Sequence, residues 1–260
     1  MSEPEIIYED ENFLAVNKPA GLVVHETRNT KDEAKNVSRF TFHASETLVD
    51  WLLKKYPEIK TVGDDPNVRP GIVHRLDRDT SGVMLVAKNQ KYFEYLKTLF
   101  QKHEIKKIYL AIVFGTLKQK EGTIDAPIGI RNGTTKRSIH SEKMAKAAIT
   151  RYRVKKEFTD ETGAAFSLLE VFPETGRTHQ IRVHLASIGH PVVGDSLYGG
   201  SKINPPAGGQ KSKTGSYKSE GISQEFPRLM LHALSLEFPV EERKRMKIEA
   251  EPPREFAVFE

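Results

Sequence analysis

Apolar positions along the chain fall into short runs separated by polar turns, a pattern typical of a sheet-rich protein. Several runs are rich in β-branched residues or alternate with polar residues, so they predict strands rather than helices. The run at 83–87 contains no polar residue and predicts a strand that is buried on both faces. The predicted strands cover residues 6–8, 13–17, 22–24, 83–87, 108–113, 146–155, 166–172 and 234–238.

Three other segments place their apolar residues at helical spacing. The first buries one face that includes Leu48, Leu52 and Tyr56, and the proline at 57 ends it. Capping residues mark the ends of the first and the last of these segments. The predicted helices follow Ser45 as an N-cap, cover residues 92–99, and run from Thr178 as an N-cap to Ile188, with Gly189 as a left-handed terminator.

Strands outnumber helices and follow no regular alternation with them, which favours the α+β class. We expect a mixed, mostly antiparallel central sheet with flanking helices, formed by a single domain over residues 1–260. The segment 199–225 differs from the rest because it contains six glycines, two adjacent prolines and many Ser and Lys residues. That composition predicts a flexible insertion loop on the surface.

Composition narrows the range of possible functions. The chain has no cysteine, which excludes disulfides, thiol nucleophiles and thiolate metal sites and fits a reducing compartment. No apolar stretch approaches the roughly 20 residues that span a bilayer. The N-terminus is acidic and has no apolar signal core, so we expect a cytoplasmic protein that does not enter a membrane.

Positive charge is concentrated in one part of the chain. Between Lys97 and Lys156 there are fifteen Lys or Arg residues and four acidic residues. This segment therefore has a net charge of +11, whereas the net charge of the whole chain is +5. The remainder of the chain is therefore mildly acidic. A basic face on an acidic body attracts polyanions such as nucleic acid, although a solvated lysine-rich surface explains the charge equally well.

The polar turn at 74–82, His-Arg-Leu-Asp-Arg-Asp-Thr-Ser-Gly, is the densest cluster of reactive side chains. It precedes a predicted buried strand, which can hold a loop residue rigidly. Three interpretations stay open: a loop whose charges pair with one another, an acid/base pair of Asp77 and Asp79 acting on a glycosidic bond, or a single carboxylate that acts covalently or electrostatically while an arginine keeps it ionised.

A second cluster lies at 175–185, where Arg177 precedes a predicted helix start and forms a plausible anion site. The same region holds His179, His184 and His190. Five residues along a helix separate the first two by about 140°, which disfavours a shared metal ion and favours structural histidines. Tyr109, inside an apolar run, is either a core tyrosine or a ring for base stacking and a proton acceptor.

The turn at 74–82 resembles the signature of the RluA family of pseudouridine synthases. Four other segments resemble motifs of that family, and all five occur in the family's order over about residues 6 to 240. Each match is short, but five in the correct order form a specific signal. The other segments are 16–25, 107–111, 175–185 together with 189–195, and 231–233.

The resemblance implies the pseudouridine synthase catalytic fold and the isomerisation of uridine to pseudouridine in structured ribosomal or transfer RNA, with no metal and no cofactor. It implies that Asp77 is the essential carboxylate and that Arg177 is its ion-pair partner. Tyr109 would pack on the target base and take the proton from carbon 5, and Arg75 would fill the gap left by the extruded nucleotide. The same motifs suggest the remaining substrate-binding residues, His74, Thr80 and Leu185.

Three further expectations complete the interpretation. The motifs begin close to Met1, so we expect no additional small RNA-binding domain before them, and we expect a monomer. The rival functions are a non-catalytic RNA-binding module on the same fold and a glycosidase with a pair of carboxylates. The first predicts RNA binding without base modification, and the second predicts that Asp79 matters as much as Asp77.

Overall fold

The structure is a computed structural model that describes residues 3–25, 46–131, 136–160, 163–199, 226, 228–241 and 244–257. The predicted insertion loop at 199–225 lies outside these residues except for Gly199, and the predicted N-cap Ser45 lies outside them as well. The strands are β1 (Glu5–Glu9), β2 (Phe13–Lys18), β3 (Ser81–Ala87), β4 (Lys106–Phe114), β5 (Glu121–Asp125), β6 (Gly129–Ile130), β7 (Arg137–Ser138), β8 (Ile149–Thr159), β9 (Ala165–Pro173), β10 (Leu231–Glu241) and β11 (Lys244–Glu249).

Nine of these strands form one sheet in the order β1-β2-β3-β10-β4-β9-β8-β5, with β11 paired to β10. Its pairings are antiparallel except for that of β3 with β10, which is parallel. The strands β6 and β7 form a separate antiparallel pair. The mixed, mostly antiparallel sheet confirms the predicted α+β class.

Seven of the eight predicted strands are present, and the one at 22–24 is wrong. The carbonyls of Val23 and Val24 accept the backbone N–H groups of Leu48 and Val49, so this segment supports the start of the first helix instead. Four strands were not predicted: β5, β6, β7 and β11. The strands β6 and β7 have only two residues each. The strands β5 and β11 have a single buried residue each, Ile124 and Ile248, and therefore lack a hydrophobic pattern.

The helices are α1 (Leu48–Lys55), α2 (Gln90–Gln101), α3 (Gln180–Ser187) and the short α4 (Arg254–Ala257), with a 3-10 helix at Pro57–Thr61. Thr47, rather than Ser45, is the N-cap of α1: its hydroxyl accepts the N–H of Asp50, whose carboxylate accepts the N–H of Thr47. Gly189 follows α3 with a left-handed φ of 87°, as the sequence predicts.

The apolar core consists of two main clusters arranged along the sheet. The first joins α1 and α2 to β2 and β3, and the second joins α3 to β4 and β9. Tyr109 on β4 packs against both clusters. The seam between them is therefore where side chains from both halves of the sheet meet.

Candidate active site

A cavity of about 100 Å³ opens at the seam between the two core clusters. Side chains line it from the loop that precedes β3, from β4, and from the segment between the end of β9 and α3. Its lining is Arg75, Leu76, Asp77, Thr80, Lys107, Tyr109, Pro173, Thr175, Gly176, Arg177, His179, Gln180, Ile181, Arg182 and Leu231. Five residues predicted for the site therefore meet here: Arg75, Asp77, Thr80, Tyr109 and Arg177.

The loop that carries Asp77 is held from behind by Lys18, whose side chain is fully buried. Lys18 Nζ donates to the carbonyls of Pro19, Leu22 and Arg78 at 2.8, 2.9 and 2.9 Å. The N–H of Gly21 donates to the same Arg78 carbonyl at 2.9 Å. Burial lowers the pKa of Lys18 to about 7, against the opposing charges of Asp79 and Asp77. These bonds fix the backbone beside Asp77.

Arg182, not Arg177, is the ion-pair partner of Asp77. Arg182 Nη1 donates to Asp77 Oδ2 at 3.0 Å. Its Nε and Nη2 donate to the two carboxylate oxygens of Asp195 at 2.7 and 2.9 Å, which fixes the guanidinium plane. Burial acts to lower the pKa of Arg182, but the hydrogen bonds and charges of Asp195 and Asp77 raise it. The arginine therefore stays charged beside the carboxylate.

The predicted pairing of Arg177 with Asp77 is wrong because the Arg177 guanidinium donates to a backbone carbonyl and Arg182 takes the carboxylate. Thr178 does not cap α3; the N-cap is His179, in a left-handed conformation with φ 57°. Arg177 lies before this turn, lines the edge of the cavity, and donates from Nε to the carbonyl of Ala147 at 3.0 Å. Arg182 lies in the first turn of the helix and therefore reaches Asp77.

Gln180 organises the turn in front of α3. Its side chain is buried, and Oε1 accepts the N–H of Arg177 at 3.0 Å and the hydroxyl of Thr175 at 2.6 Å. Its Nε2 donates to the carbonyl of Ile149 at 2.9 Å and to the hydroxyl of Thr150 at 3.0 Å. Gln180 thereby ties the start of α3 to β8.

Tyr109 reaches the cavity from the centre of β4, where its backbone is in register with Val171 of β9 and Ala233 of β10. Burial, and then the charge of Asp77, raise the pKa of its phenol. The resting side chain is therefore neutral and presents an aromatic ring. Lys107, two residues earlier, also lines the cavity, and burial lowers its pKa to about 8.

Two predicted substrate-binding residues, His74 and Leu185, do not line this cavity. His74 is turned towards the core: its Nε2 accepts the N–H of Leu85 at 2.9 Å, and its ring stacks on Phe100 at 4.4 Å. Burial, with a smaller contribution from Lys107, lowers the pKa of His74 to about 3. Leu185 is fully buried in the second core cluster. Both are packing residues.

The three histidines near α3 have different partners, and the structural interpretation fits His184 and His190 but not His179. His184 Nδ1 lies 2.9 Å from the hydroxyl of Thr150 and its Nε2 lies 3.0 Å from the carbonyl of Ala126. His190 Nδ1 lies 2.8 Å from the carbonyl of Phe114. His179 is the one of the three that lines the cavity, with Nε2 3.8 Å from Asp77 Oδ2.

Asp79 does not form an acid/base pair with Asp77. Its two oxygens accept Nε and Nη2 of Arg78 at 2.9 and 3.2 Å, and its side chain is 41% exposed. It is also absent from the cavity lining. The glycosidase interpretation, which needs two carboxylates facing one bond, has no support in this geometry.

Sequence reasoning missed Arg182, Asp195 and His179 as members of the site. One signal was available for Arg182, which stands between Ile181 and Val183 in a predicted helix. An arginine inside an apolar stretch is buried only with a charged partner, so its position pointed to an ion pair. No comparable signal marked His179, since its place depends on a left-handed backbone.

Two more cavities open beside this site and share Arg137. One, of about 280 Å³, also contains Gly176 and Arg177 of the first cavity. The other, of about 700 Å³, contains Tyr198, whose hydroxyl lies 2.9 Å from His179 Nδ1. Among the residues that the structure describes, no Asp or Glu lines either cavity, while five cations do: Arg131, Lys136, Arg137, Lys146 and Arg177.

Comparison with known proteins identifies the class. The profile of a family described as RNA pseudouridylate synthase matches residues 12–187. The ribosomal large subunit pseudouridine synthase D of Pseudomonas aeruginosa is 41% identical over 256 residues, which cover 98% of this chain and 70% of that protein. An uncharacterized RNA pseudouridine synthase of Aquifex aeolicus is 41% identical over 201 residues, 77% of this chain and 58% of that protein.

Solved structures show the same fold. Human RNA pseudouridylate synthase domain containing 4 superposes with a TM-score of 0.66 over 97% of this chain and 90% of that one, at 25% identity. Human RNA pseudouridylate synthase domain containing 1 gives a TM-score of 0.68 over 96% of this chain and 84% of that one, at 24% identity.

The chain therefore belongs to the RNA pseudouridylate synthase family, as its resemblance to the RluA group implied. Its activity is that of an RNA pseudouridine synthase, an isomerase. It spans 70% and 58% of the length of the two bacterial relatives described above. In the described part of the chain, no helix is long and apolar enough to cross a bilayer.

Proposed function

We propose that the protein converts one or more uridines of large-subunit ribosomal RNA into pseudouridine, with Asp77 as the essential carboxylate. The observation that carries this proposal is the Asp77 carboxylate, held by Arg182 in a cavity that also contains the ring of Tyr109. The choice of RNA is supported by relatives from Pseudomonas aeruginosa and Borreliella burgdorferi, both described as ribosomal large subunit pseudouridine synthase D. A ribosomal substrate would be met in the cytoplasm.

The proposed reaction is an isomerisation of the nucleoside. The bond from C1′ to N1 breaks, the base turns, a bond forms from C1′ to C5, C5 loses its hydrogen and N1 gains one. Atoms and electrons balance without an oxidant, a reductant or a second substrate. Asp77 can attack C1′, stabilise a cationic sugar or remove a ribose proton, and in each role its carboxylate acts beside the positive charge of Arg182.

The target base has to leave the RNA stack before it can reach Asp77, and base flipping costs a few kcal/mol. We assign two residues to this step. Arg75 is exposed on the same loop and lines the cavity, so it is placed to fill the gap that the extruded nucleotide leaves. Tyr109 offers a neutral ring on which the base stacks. Because its pKa is raised, the phenol carries its own hydrogen. Its oxygen can therefore accept the C5 proton only if it donates that hydrogen to another group.

The RNA backbone would lie in the two cationic cavities that share Arg137. The smaller of them adjoins the first cavity at Gly176 and Arg177, so phosphates next to the flipped nucleotide would meet positive charge there. Several of their cations belong to the basic segment at 97–156, whose excess charge is explained by this role. Such contacts position the RNA without reading its sequence. We expect the protein to act as a monomer.

The test is to map pseudouridine in ribosomal RNA from cells that lack the gene, complemented with wild type, Asp77→Asn or Asp79→Asn. We expect at least one pseudouridine to disappear with the gene, to return with wild type and Asp79→Asn, and to stay absent with Asp77→Asn. Circular dichroism and RNA binding should be unchanged in both variants.

Four outcomes would overturn the proposal in whole or in part. Restoration of the modification by Asp77→Asn would remove the essential carboxylate. A lost pseudouridine that maps to transfer RNA, with ribosomal RNA unchanged, would refute the substrate while keeping the reaction. RNA binding without any modified base would instead favour the non-catalytic rival, and an equal loss with Asp79→Asn would favour the pair of carboxylates.

A further inference from the structure

His179 is a cavity residue that the proposed reaction does not yet use. Its backbone has φ 57°, a left-handed conformation that few residues other than glycine adopt. This conformation places the imidazole between two groups of the site. Nε2 lies 3.8 Å from Asp77 Oδ2, and Nδ1 lies 2.9 Å from the hydroxyl of Tyr198. The side chain is 18% exposed, so both nitrogens depend mainly on protein partners.

Tyr198 contacts both groups that lie beside Asp77. Its hydroxyl meets His179, and its ring lies 5.3 Å from the guanidinium of Arg182 in a cation–π contact. The N–H groups of Leu197 and Tyr198 donate to Asp195 Oδ1 at 2.9 and 3.1 Å, which holds the tyrosine in place. Tyr198, Arg182 and His179 therefore form one packed unit around the carboxylate.

The hydrogen bonds of Tyr198 determine which nitrogen of His179 carries the hydrogen. The phenol oxygen accepts the backbone N–H of Arg137 at 2.9 Å. Burial raises the pKa of Tyr198, so the phenol keeps its hydrogen, and His179 Nδ1, 2.9 Å away, is an acceptor to which it can donate. With Nδ1 as an acceptor, a neutral imidazole carries its hydrogen on Nε2. That hydrogen is then on the nitrogen nearest to Asp77.

The imidazole is neutral because its surroundings oppose a second proton. Burial lowers the pKa of His179, the charges of Asp77 and Asp195 act to raise it, and those of Arg182 and Arg137 act to lower it. The phenol of Tyr198 already occupies Nδ1. A protonated ring would donate from both nitrogens, and the phenol would then have to turn its own hydrogen away from Nδ1.

We propose that His179 is a positioning residue that donates its Nε2 hydrogen to Asp77 Oδ2 when RNA is bound, in the tautomer that Tyr198 imposes. This inference rests on the proposed role of Asp77. At 3.8 Å the contact is too long for a hydrogen bond in the free protein, and such bonds commonly shorten in the substrate complex. Because Arg182 donates to the same Oδ2, the second donor leaves Oδ1 as the oxygen that faces the nucleoside.

The tautomer is tested without any assay of activity. Nitrogen-15 spectra of the histidine rings in the full-length wild-type protein at pH 8 should show His179 with its hydrogen on Nε2. The signal is assigned by its loss in His179→Asn. In Tyr198→Phe, which keeps the ring over Arg182, the His179 signals should shift towards a mixture of tautomers. A hydrogen on Nδ1, or a doubly protonated ring, in the wild type overturns the proposal.

Catalysis is tested with two variants that separate the role of Nδ1 from the role of Nε2. His179→Asn keeps a polar atom near the position of Nδ1 and tolerates a left-handed backbone, but it has no atom at the position of Nε2. His179→Gln places an amide donor near that position. A hydrogen bond to a charged group contributes about 1.5 to 3 kcal/mol, which corresponds to a roughly 10- to 100-fold change in rate. We expect His179→Asn to lose this factor in single-turnover rate on ribosomal RNA from cells lacking the gene, with RNA affinity unchanged.

The control is His103→Asn, because His103 has the same φ of 57° and lies exposed outside the cavity. It should leave the rate unchanged, and His179→Gln should be faster than His179→Asn. A rate for His179→Asn within twofold of wild type overturns the inference. An active Asp77→Asn would instead defeat the proposed function, whereas the tautomer spectra report on His179 in either case.

Discussion

At the scale of single residues, the electrostatics of the site depend on Arg182. Its side chain is 6% exposed and lies between Asp77 and Asp195, so a single positive charge stabilises two carboxylates. Asp195 is fully buried and takes two of the guanidinium hydrogen bonds, which leaves Nη1 aimed at Asp77. The planar fork of arginine is required for this geometry, since a lysine offers no fixed plane.

Replacing Arg182 should therefore affect stability as well as catalysis. Arg182→Gln leaves the carboxylates without their cation, and breaking a buried ion pair costs about 3 to 5 kcal/mol. We expect the free energy of unfolding in urea to fall by that amount and pseudouridine formation to be lost. Arg182→Lys, which retains the charge, should be more stable than Arg182→Gln, but its rate of pseudouridine formation should stay low.

Arg177→Gln is the matched control because Arg177 lies at the cavity edge and has no bond to Asp77. Its free energy of unfolding should change by no more than about 1.5 kcal/mol, the cost of losing one hydrogen bond to a backbone carbonyl. A larger loss of activity in Arg177→Gln than in Arg182→Gln, at equal folded fractions, would contradict the assignment of Arg182.

At the scale of elements, the loop of Asp77 is positioned by the parallel contact of β3 with β10. This contact is short, pairing Ser81 with His232 and Gly82 with Ala233. The hydroxyl of Ser81 lies 2.9 Å from His232 Nδ1, which adds a side-chain bond between the strands. Gly82 has φ 115°, and a β-carbon there would lie 2.2 Å from the carbonyl oxygen of Ala233. Only glycine permits this approach.

Gly82→Ala should therefore displace β3 from β10 and move the Asp77 loop. Backbone strain and overpacking each cost about 1 to 3 kcal/mol, so we expect a loss of at least about 2 kcal/mol in the free energy of unfolding, together with reduced turnover. Gly163→Ala is the control, because Gly163 has φ 83° but nothing within 4 Å of its would-be β-carbon. Equal losses in the two variants would show that close approach is not the cause.

At the scale of the whole molecule, the buried His232 and the half-buried His74 make stability depend on pH. Burial, rather than any charged partner, is the largest cause that lowers the pKa of His232 to about 4 and that of His74 to about 3. An unfolded chain binds protons at these residues below about pH 6.5, and the folded protein does not. Between pH 6.5 and the folded pKa values the unfolded state therefore binds more protons, so stability falls as the pH falls.

We expect the free energy of unfolding to be highest above pH 6.5 and to decrease towards pH 4, with a contribution of up to about 1.4 kcal/mol per pH unit from each of the two histidines. His74→Gln keeps an acceptor for the N–H of Leu85 but cannot titrate, so its urea-unfolding free energies should decline less steeply over that range. The exposed His140→Gln should keep the wild-type slope. The same slope in all three proteins would argue against buried histidines as the source.

Most strands of the fold could be predicted from the sequence because apolar periodicity indicates which faces of an element are buried. The residues of β2, β3, β4 and β9 lie among apolar neighbours on the sheet, and their runs predicted strands correctly. Strands at the periphery, such as β5 and β11, left no such pattern. The order of strands along the sheet could not be predicted, because the pairing of β3 with β10 joins residues about 150 positions apart.

For the site, the sequence by itself determined the enzyme family and, as an expectation, the carboxylate, because short motifs in a fixed order preserve residue types that the chemistry needs. Only the tertiary structure decided which arginine pairs with Asp77, which histidine enters the cavity, and that His74 and Leu185 belong to the core. The reason is geometric. The left-handed turn at His179 changes the direction of the chain between Arg177 and Arg182, and no pattern of residue types records a single backbone dihedral angle.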